Sequence, residues 1–205
     1  MKRLCVFCGS SPGARPAYSQ VAADLGRALA RGGFGLVYGG SKVGLMGILA
    51  DAVLAARGEV VGVIPQALVK KELAHTGLTE LRVVASMHER KQTMADLSDG
   101  FIALPGGMGT IEELTEVLTW AQLGLHRKPC GLLNVEGYYD RFIGFLDHAA
   151  AERFVTPAHR SMIVVAGTPY ELLESFRTYQ APIVDKWIDR AATCASRQSD
   201  RRYQS

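Results

Sequence analysis

Seven short runs of apolar and β-branched residues recur along the chain: RLCVFC, FGLVYG, EVVGVI, LRVVA, GFIALP, PCGLLNV and SMIVVA. Between them lie longer segments whose apolar residues repeat at helical spacing, such as YSQVAADLGRALARGG and LMGILADAVLAARG. Strands separated by helices do not pair as hairpins; each crossover returns the chain to begin the next strand in the same direction, so the alternation means parallel βαβ units. The runs are continuously apolar instead of alternating, which marks strands covered on both faces. The expected fold is therefore α/β, a Rossmann-like doubly wound sandwich with a mainly parallel sheet and helices on both faces. The alternation does not encode strand order.

Punctuation supports the element boundaries. Pro16 suits the first turn of a helix, and Gly32, Gly33 and Gly58 follow helical patterns where left-handed stops are expected. With 205 residues, 48% of them apolar, the chain can bury one sizeable core but not two comfortable ones. Residues 1–178 are expected to form a single α/β domain. From residue 179 onward the alternation is lost, and ATCASRQSDRRYQS reads as a partly mobile extension in which Ile183 and Trp187 could still dock.

The net charge of +3 is spread along the chain apart from Arg197, Arg201 and Arg202, a cluster that reads as solvated, so no broad footprint for nucleic acid emerges. No apolar run approaches the roughly 20 residues that span a bilayer, and the start, RLCVFCGSS, does not resemble a cleavable signal. A cytoplasmic protein without a membrane partner is expected. Cys5 and Cys8 have CxxC spacing, but residues three apart on a strand point to opposite faces, so buried structural cysteines are expected instead of a metal or redox pair. His75, His88, His126, His148 and His159 show no metal-binding spacing, and no metal is expected.

In an open parallel sheet, ligands bind beyond the carboxyl ends of the strands. The loops expected there are GSSPG, GGSKVGLMG, SMHERK and PGGMG, each bringing glycine, hydroxyl or charge to one edge. Gly106, Gly107, Gly109 and Thr110 could let backbone N–H groups cradle a phosphate at the start of a helix beginning near Ile111. Thr110 and Glu113 also have capping-box spacing, which would make the stretch only a tight turn and a capped helix. Both readings fit the residues. Ser86 and Glu89 share that spacing. The glycines match neither the GxGxxG dinucleotide fingerprint nor the GxxxxGK[ST] loop.

PGGMGTIEE matches the PGGxGTxxE signature of the LONELY GUY family, the cytokinin riboside 5'-monophosphate phosphoribohydrolases, and MHERK resembles that family's second motif. The resemblance extends through CVFCGSSPG, LVYGGSKVGLMG, GVIPQAL, EVLTWAQLGLHRKP and GLLNVEGYYD. It implies hydrolysis of the N-glycosidic bond of an N6-substituted AMP, or of AMP itself, to free base and ribose 5-phosphate, by a cofactor-independent homodimer. The older label of lysine decarboxylase given to some relatives finds no lysine placed for a pyridoxal Schiff base. The competing class is a nucleotide or phosphate-ligand carrier of the same fold that performs no hydrolysis.

The resemblance implies Glu113 and Arg90 as catalytic residues. Breaking a bond to a nucleobase develops oxocarbenium-like charge on the ribose, which a carboxylate such as Glu113 can steady. The always-protonated guanidinium of Arg90 suits orientation and electrostatics better than proton donation. Glu112 lies about 100° away from Glu113 around a helix and is implied as a ligand contact. Glu72, Lys91, Met108 and Thr119 also match substrate-binding positions of the family, although each is of a type common on helix surfaces. Trp120 is expected in the core.

Overall fold

The computed structural model describes residues 1–69 and 74–182. Seven strands form one sheet: β1 (Arg3–Phe7), β2 (Gly35–Tyr38), β3 (Val60–Pro65), β4 (Glu80–Val84), β5 (Phe101–Ala103), β6 (Cys130–Leu133) and β7 (Ile163–Ala166). The helices are α1 (Pro16–Arg31), α2 (Gly44–Ala55), α3 (Gln66–Val69), α4 (Met87–Asp96), α5 (Met108–Gln122), α6 (Asp140–Ala151), α7 (Pro157–Arg160) and α8 (Pro169–Arg177). Each apolar run read from the sequence matches one of the strands, with β3 and β4 each extending one residue beyond their runs, to Pro65 and Glu80.

The strand order is β4-β3-β2-β1-β5-β6-β7, and every neighbouring pair is parallel. The chain winds outward from β1 to β4, then crosses back to place β5 beside β1. That reversal creates a switch point at the carboxyl ends of β1 and β5, where two loops diverge to opposite faces and leave a crevice.

Side chains of β1 divide between the two faces as the period of two requires. Leu4, Val6 and Cys8 join Leu25 and Leu29 of α1, Leu49 and Val53 of α2, and Leu172 and Phe176 of α8 in one core layer. Cys5 and Phe7 point into the other layer with Met94 of α4 and Val117 of α5. Cys5 and Cys8 are thus buried free thiols on opposite sides of the sheet. Burial pushes both thiols up, with the charge of Glu113 adding to the effect. Trp120 is half-buried and packs against the second layer.

Pro16 stands in the first turn of α1, and Gly33 takes the left-handed conformation after it, at φ +73°. Gly58 does not act as a left-handed stop: Arg57 occupies that conformation, at φ 60°. Gly58 is required by packing instead, since a Cβ there would lie 2.6 Å from Val53 Cγ1 and 2.9 Å from Ala30 Cβ. No described helix is long and apolar enough to cross a membrane. Glu72, Ile183, Trp187 and the arginine cluster at 197, 201 and 202 lie outside the described residues.

Candidate functional site

Three helices begin around one cavity at the switch-point edge, and their first turns are closed differently. At α2 the Leu45 N–H donates to the Gly9 carbonyl at 3.0 Å. An added Cβ on Gly44 would collide with the backbone of Ser10, so the loop after β1 lies directly on this helix end. At α4 the Ser86 hydroxyl accepts from the Glu89 N–H at 3.1 Å, and the Glu89 carboxylate accepts from the Ala85 N–H at 2.7 Å. The Ser86–Glu89 spacing therefore forms a cap, its return arm landing one residue earlier than in a standard capping box.

At α5 the cap residue is Gly107, extended at φ −88° and ψ −153°, and no side chain caps the helix. Its first N–H groups and the positive end of its dipole are left without a side-chain cap among the described residues. The helix begins at Met108, not near Ile111, so Thr110 is already in the first turn and the expected Thr110–Glu113 capping box does not form. A residue with helical dihedrals cannot occupy the extended cap position. Thr110 is instead 4% exposed and lies over Gly106, where an added Cβ would collide with its hydroxyl. Gly107 and Gly109 have open space where a Cβ would project. The fold would accept side chains at both, and their absence keeps the helix end uncovered.

The cavity, of about 320 Å³, is lined by Cys8, Gly9 and Ser10 after β1, Met46 of α2, Met87 and Arg90 of α4, and Gly107, Met108, Gly109, Thr110, Glu112 and Glu113. Arg90 is only 6% exposed. Its Nε donates to the Val63 carbonyl at 3.1 Å and one terminal nitrogen to the Gly39 carbonyl at 3.0 Å, fixing the guanidinium across the ends of β2 and β3. Gly39 makes this possible, because any Cβ there would collide with the guanidinium. Hydrogen bonds from both sides of the fork also offset the cost of burying the charge.

Glu113 lies three residues beyond Thr110 and shares its helix face, so its carboxylate enters the same cavity as Arg90. Glu112 reaches the rim, where Lys91 Nζ donates to it at 2.5 Å and to Glu116 at 3.0 Å. The Glu112 bond, reinforced by Glu116, raises the Lys91 pKa and keeps the ammonium charged. Lys91 does not itself line the cavity. Met108 is 88% exposed at the rim. Thr119 is exposed on α5, its hydroxyl donating to the Thr115 carbonyl at 2.7 Å, and is not brought to this cavity. It stands about 13 Å along the helix from Thr110.

The sequence marked Cys8 only as a buried structural cysteine, and Gly9, Ser10, Gly39, Met46 and Met87 only as members of edge loops, with no individual place in the site. The GSSPG, GGSKVGLMG and SMHERK loops all reach the edge that carries this cavity, but only the strand order reveals that the loop after β1 faces the loop after β5. Burial, with the charge of Glu113, pushes the Cys8 thiol up and favours it over the nucleophilic thiolate.

These features define a Rossmann-like α/β protein with an open helix end at its switch point and a guanidinium and a carboxylate in the adjoining cavity. A family model described as "Possible lysine decarboxylase" matches residues 46–176. A cytokinin riboside 5'-monophosphate phosphoribohydrolase of Rhodococcoides fascians is 56% identical over 165 residues, covering 80% of this chain and 83% of that protein. One of Arabidopsis thaliana is 51% identical over 178 residues, covering 87% of this chain and 83% of its own. The chain belongs to this family, the LONELY GUY family of the sequence resemblance.

Among solved structures, the molybdenum cofactor binding protein from Rippkaea orientalis is similar in fold, with a TM-score of 0.63 at 22% identity over 87% of this chain and 99% of that one. The decarboxylase description has no counterpart in the cavity. Among the described residues no lysine lines it, and the nearby Lys91 is engaged by Glu112 and Glu116.

Proposed function

We propose that the chain hydrolyses the N-glycosidic bond of a purine nucleoside 5'-monophosphate, AMP or an N6-substituted AMP such as a cytokinin riboside monophosphate. The products are the free base and ribose 5-phosphate. The observation that carries the reading is the meeting of Arg90, Glu113 and the uncapped start of α5 in one cavity, in a chain 56% identical to a named phosphoribohydrolase.

The 5'-phosphate is held by the N–H groups following Gly106 and Gly107, together with those of Gly109 and Thr110, at the positive end of α5. This anchor places the ribose over Glu113. As the bond to the base stretches, positive charge gathers on the sugar, and the carboxylate steadies it. Water completes the reaction, its hydroxyl ending on C1' and its proton on the purine. Arg90, charged at any ordinary pH and fixed by two carbonyls, orients substrate and balances Glu113 without donating a proton. Glu112 contacts the ligand at the rim and Lys91 holds it there. Met108 covers the phosphate edge, and Glu72 contributes a further substrate contact.

Residues 1–178 form the nucleotide-binding unit, and the protein works in the cytoplasm as a homodimer, without a cofactor, a metal, a nucleic acid or a membrane partner. Contact between Thr119 and substrate requires the neighbouring protomer, given its distance from Thr110 along α5. A carrier of the same fold would bind the nucleotide and release it intact.

The deciding experiment incubates the chain with AMP and with adenosine and follows adenine and ribose 5-phosphate by chromatography. The expected kcat/KM is on the order of 100-fold higher for AMP, since the phosphate supplies much of the orientation. Equal efficiency on the two substrates defeats the phosphate anchor, and tight AMP binding without any release of adenine favours the carrier.

A further inference from the structure

The loop that presents the open end of α5 is held from behind by three donors in succession. Tyr139 Oη donates to the Leu104 carbonyl at 2.6 Å, the Gly9 N–H to the Pro105 carbonyl at 3.1 Å, and Tyr138 Oη to the Gly106 carbonyl at 2.6 Å. A trans peptide points its carbonyl and its N–H in opposite directions, and none of the described peptides is cis. Whatever holds the Gly106 carbonyl therefore also aims the Gly107 N–H. The carbonyl faces Tyr138, in an apolar cavity of about 280 Å³ behind the loop. The N–H points away from Tyr138, and Gly107 also lines the cavity that holds Arg90 and Glu113.

The two tyrosines are themselves well placed. Glu136 and Gly137 take left-handed dihedrals, φ 53° and 69°, and turn the chain sharply after β6. Asn134 braces the turn, accepting from the Tyr139 N–H at 2.8 Å and donating to Asp140 at 2.7 Å. Tyr139 is buried at 1% exposure, whereas Tyr138 is 41% exposed. The Tyr138 ring packs edge-on against Tyr18 at 5.6 Å and Tyr139 at 4.9 Å. Ring packing therefore does not depend on its hydroxyl, which donates to the glycine loop.

We propose that Tyr138 is a positioning residue for phosphate recognition: its hydroxyl, by holding the Gly106 carbonyl, sets the direction and donor strength of the Gly107 N–H that meets the 5'-phosphate. Donation to a carbonyl polarises the whole amide, so the effect on the N–H is electronic as well as geometric. The proposal deepens the reading given under Proposed function and rests on its placement of the phosphate.

Tyr138→Phe in the full chain removes the hydroxyl and keeps the ring. The KM for AMP is expected to rise about fivefold with kcat changed less than about twofold, and the Kd of ribose 5-phosphate by calorimetry to weaken about fivefold, the size of one neutral hydrogen bond. Hydrolysis of adenosine, which has no phosphate, should be unchanged. An unaltered Kd for ribose 5-phosphate overturns the proposal. So does a loss shared equally by adenosine, or a fall in Tm of more than a few degrees, since either makes Tyr138 a general brace. In isotope-labelled protein, the shift of the Gly107 amide on titration with ribose 5-phosphate should shrink in the variant; a shift of wild-type size also overturns it. A wild-type chain that binds ribose 5-phosphate in a Tyr138-dependent way but leaves AMP intact ends the hydrolysis reading and upholds this one. Cleavage of AMP with a KM indifferent to Tyr138 does the reverse.

Discussion

Glu113 made two claims in the sequence, as the return arm of a capping box and as a carboxylate for the ribose, and the geometry removes the first. Gly107 caps α5 and Thr110 is buried in the first turn, so a substitution at 113 disturbs no cap. Glu113→Gln keeps the size and hydrogen-bonding capacity of the side chain while deleting its charge. If the carboxylate steadies an oxocarbenium-like ribose, kcat for AMP should fall on the order of 10²- to 10³-fold, with the Kd of ribose 5-phosphate and the Tm nearly unchanged. Turnover within a few fold of wild type would remove Glu113 from catalysis. Arg90 is placed by features that a linear reading does not expose. Its partners are backbone carbonyls of Val63 and Gly39, 27 and 51 residues away. Main-chain acceptors carry no residue-type signal, which is why the motif marked the arginine and left Gly39 unnoticed.

At the level of elements, strands were the most legible part of the sequence, because burial on both faces of a parallel sheet demands uninterrupted apolar runs. Helix starts were legible where a residue type marks them: Pro16 stands in the first turn of α1, and the Ser86 hydroxyl caps α4 with the expected glutamate three residues on. The start of α5 was misplaced by three residues, since its cap is a glycine and the nearest hydroxyl, Thr110, mimics a signal it does not give. The α4 cap offers a separable test, because it supports the helix that bears Arg90 while the guanidinium is held independently by β2 and β3. Ser86→Ala should cost about 1 kcal/mol, seen as a Tm lower by roughly 2–4 °C for a chain of this size. The kcat for AMP at 25 °C should stay within about twofold. A large loss of kcat at unchanged Tm would mean that the cap positions Arg90 after all.

For the whole molecule, the decisive fact is the placement of β5 beside β1, which brings a loop after residue 7 against one after residue 103. Alternation of strands and helices permits many strand orders, so the existence of a glycine-lined edge was legible and the facing of its loops was not. The same topology puts α4 and α5 side by side on one surface, and this surface is the candidate dimer contact. Leu125 is 71% exposed, Leu123 47% and Met87 44%. Between the helices, Trp120, Leu125, His88 and Gln92 line a cavity of about 320 Å³. Exposed apolar side chains bordering a groove are what an interface between copies uses. Thr119, on the same helix, is a substrate position implied only by the family resemblance, and one chain leaves it remote from its own cavity. A dimer through α4 and α5 would account for both the apolar surface and Thr119. The expected outcome is a dimeric mass by sedimentation at assay concentrations. Leu125→Glu should shift the mass to that of a monomer, because burying an unpaired carboxylate in the contact is costly. If Thr119 acts across the interface, the monomeric variant should lose affinity for AMP while keeping its fold by circular dichroism. Full activity in a monomer would separate the site from assembly and return Thr119 to the role of an ordinary helix-surface residue.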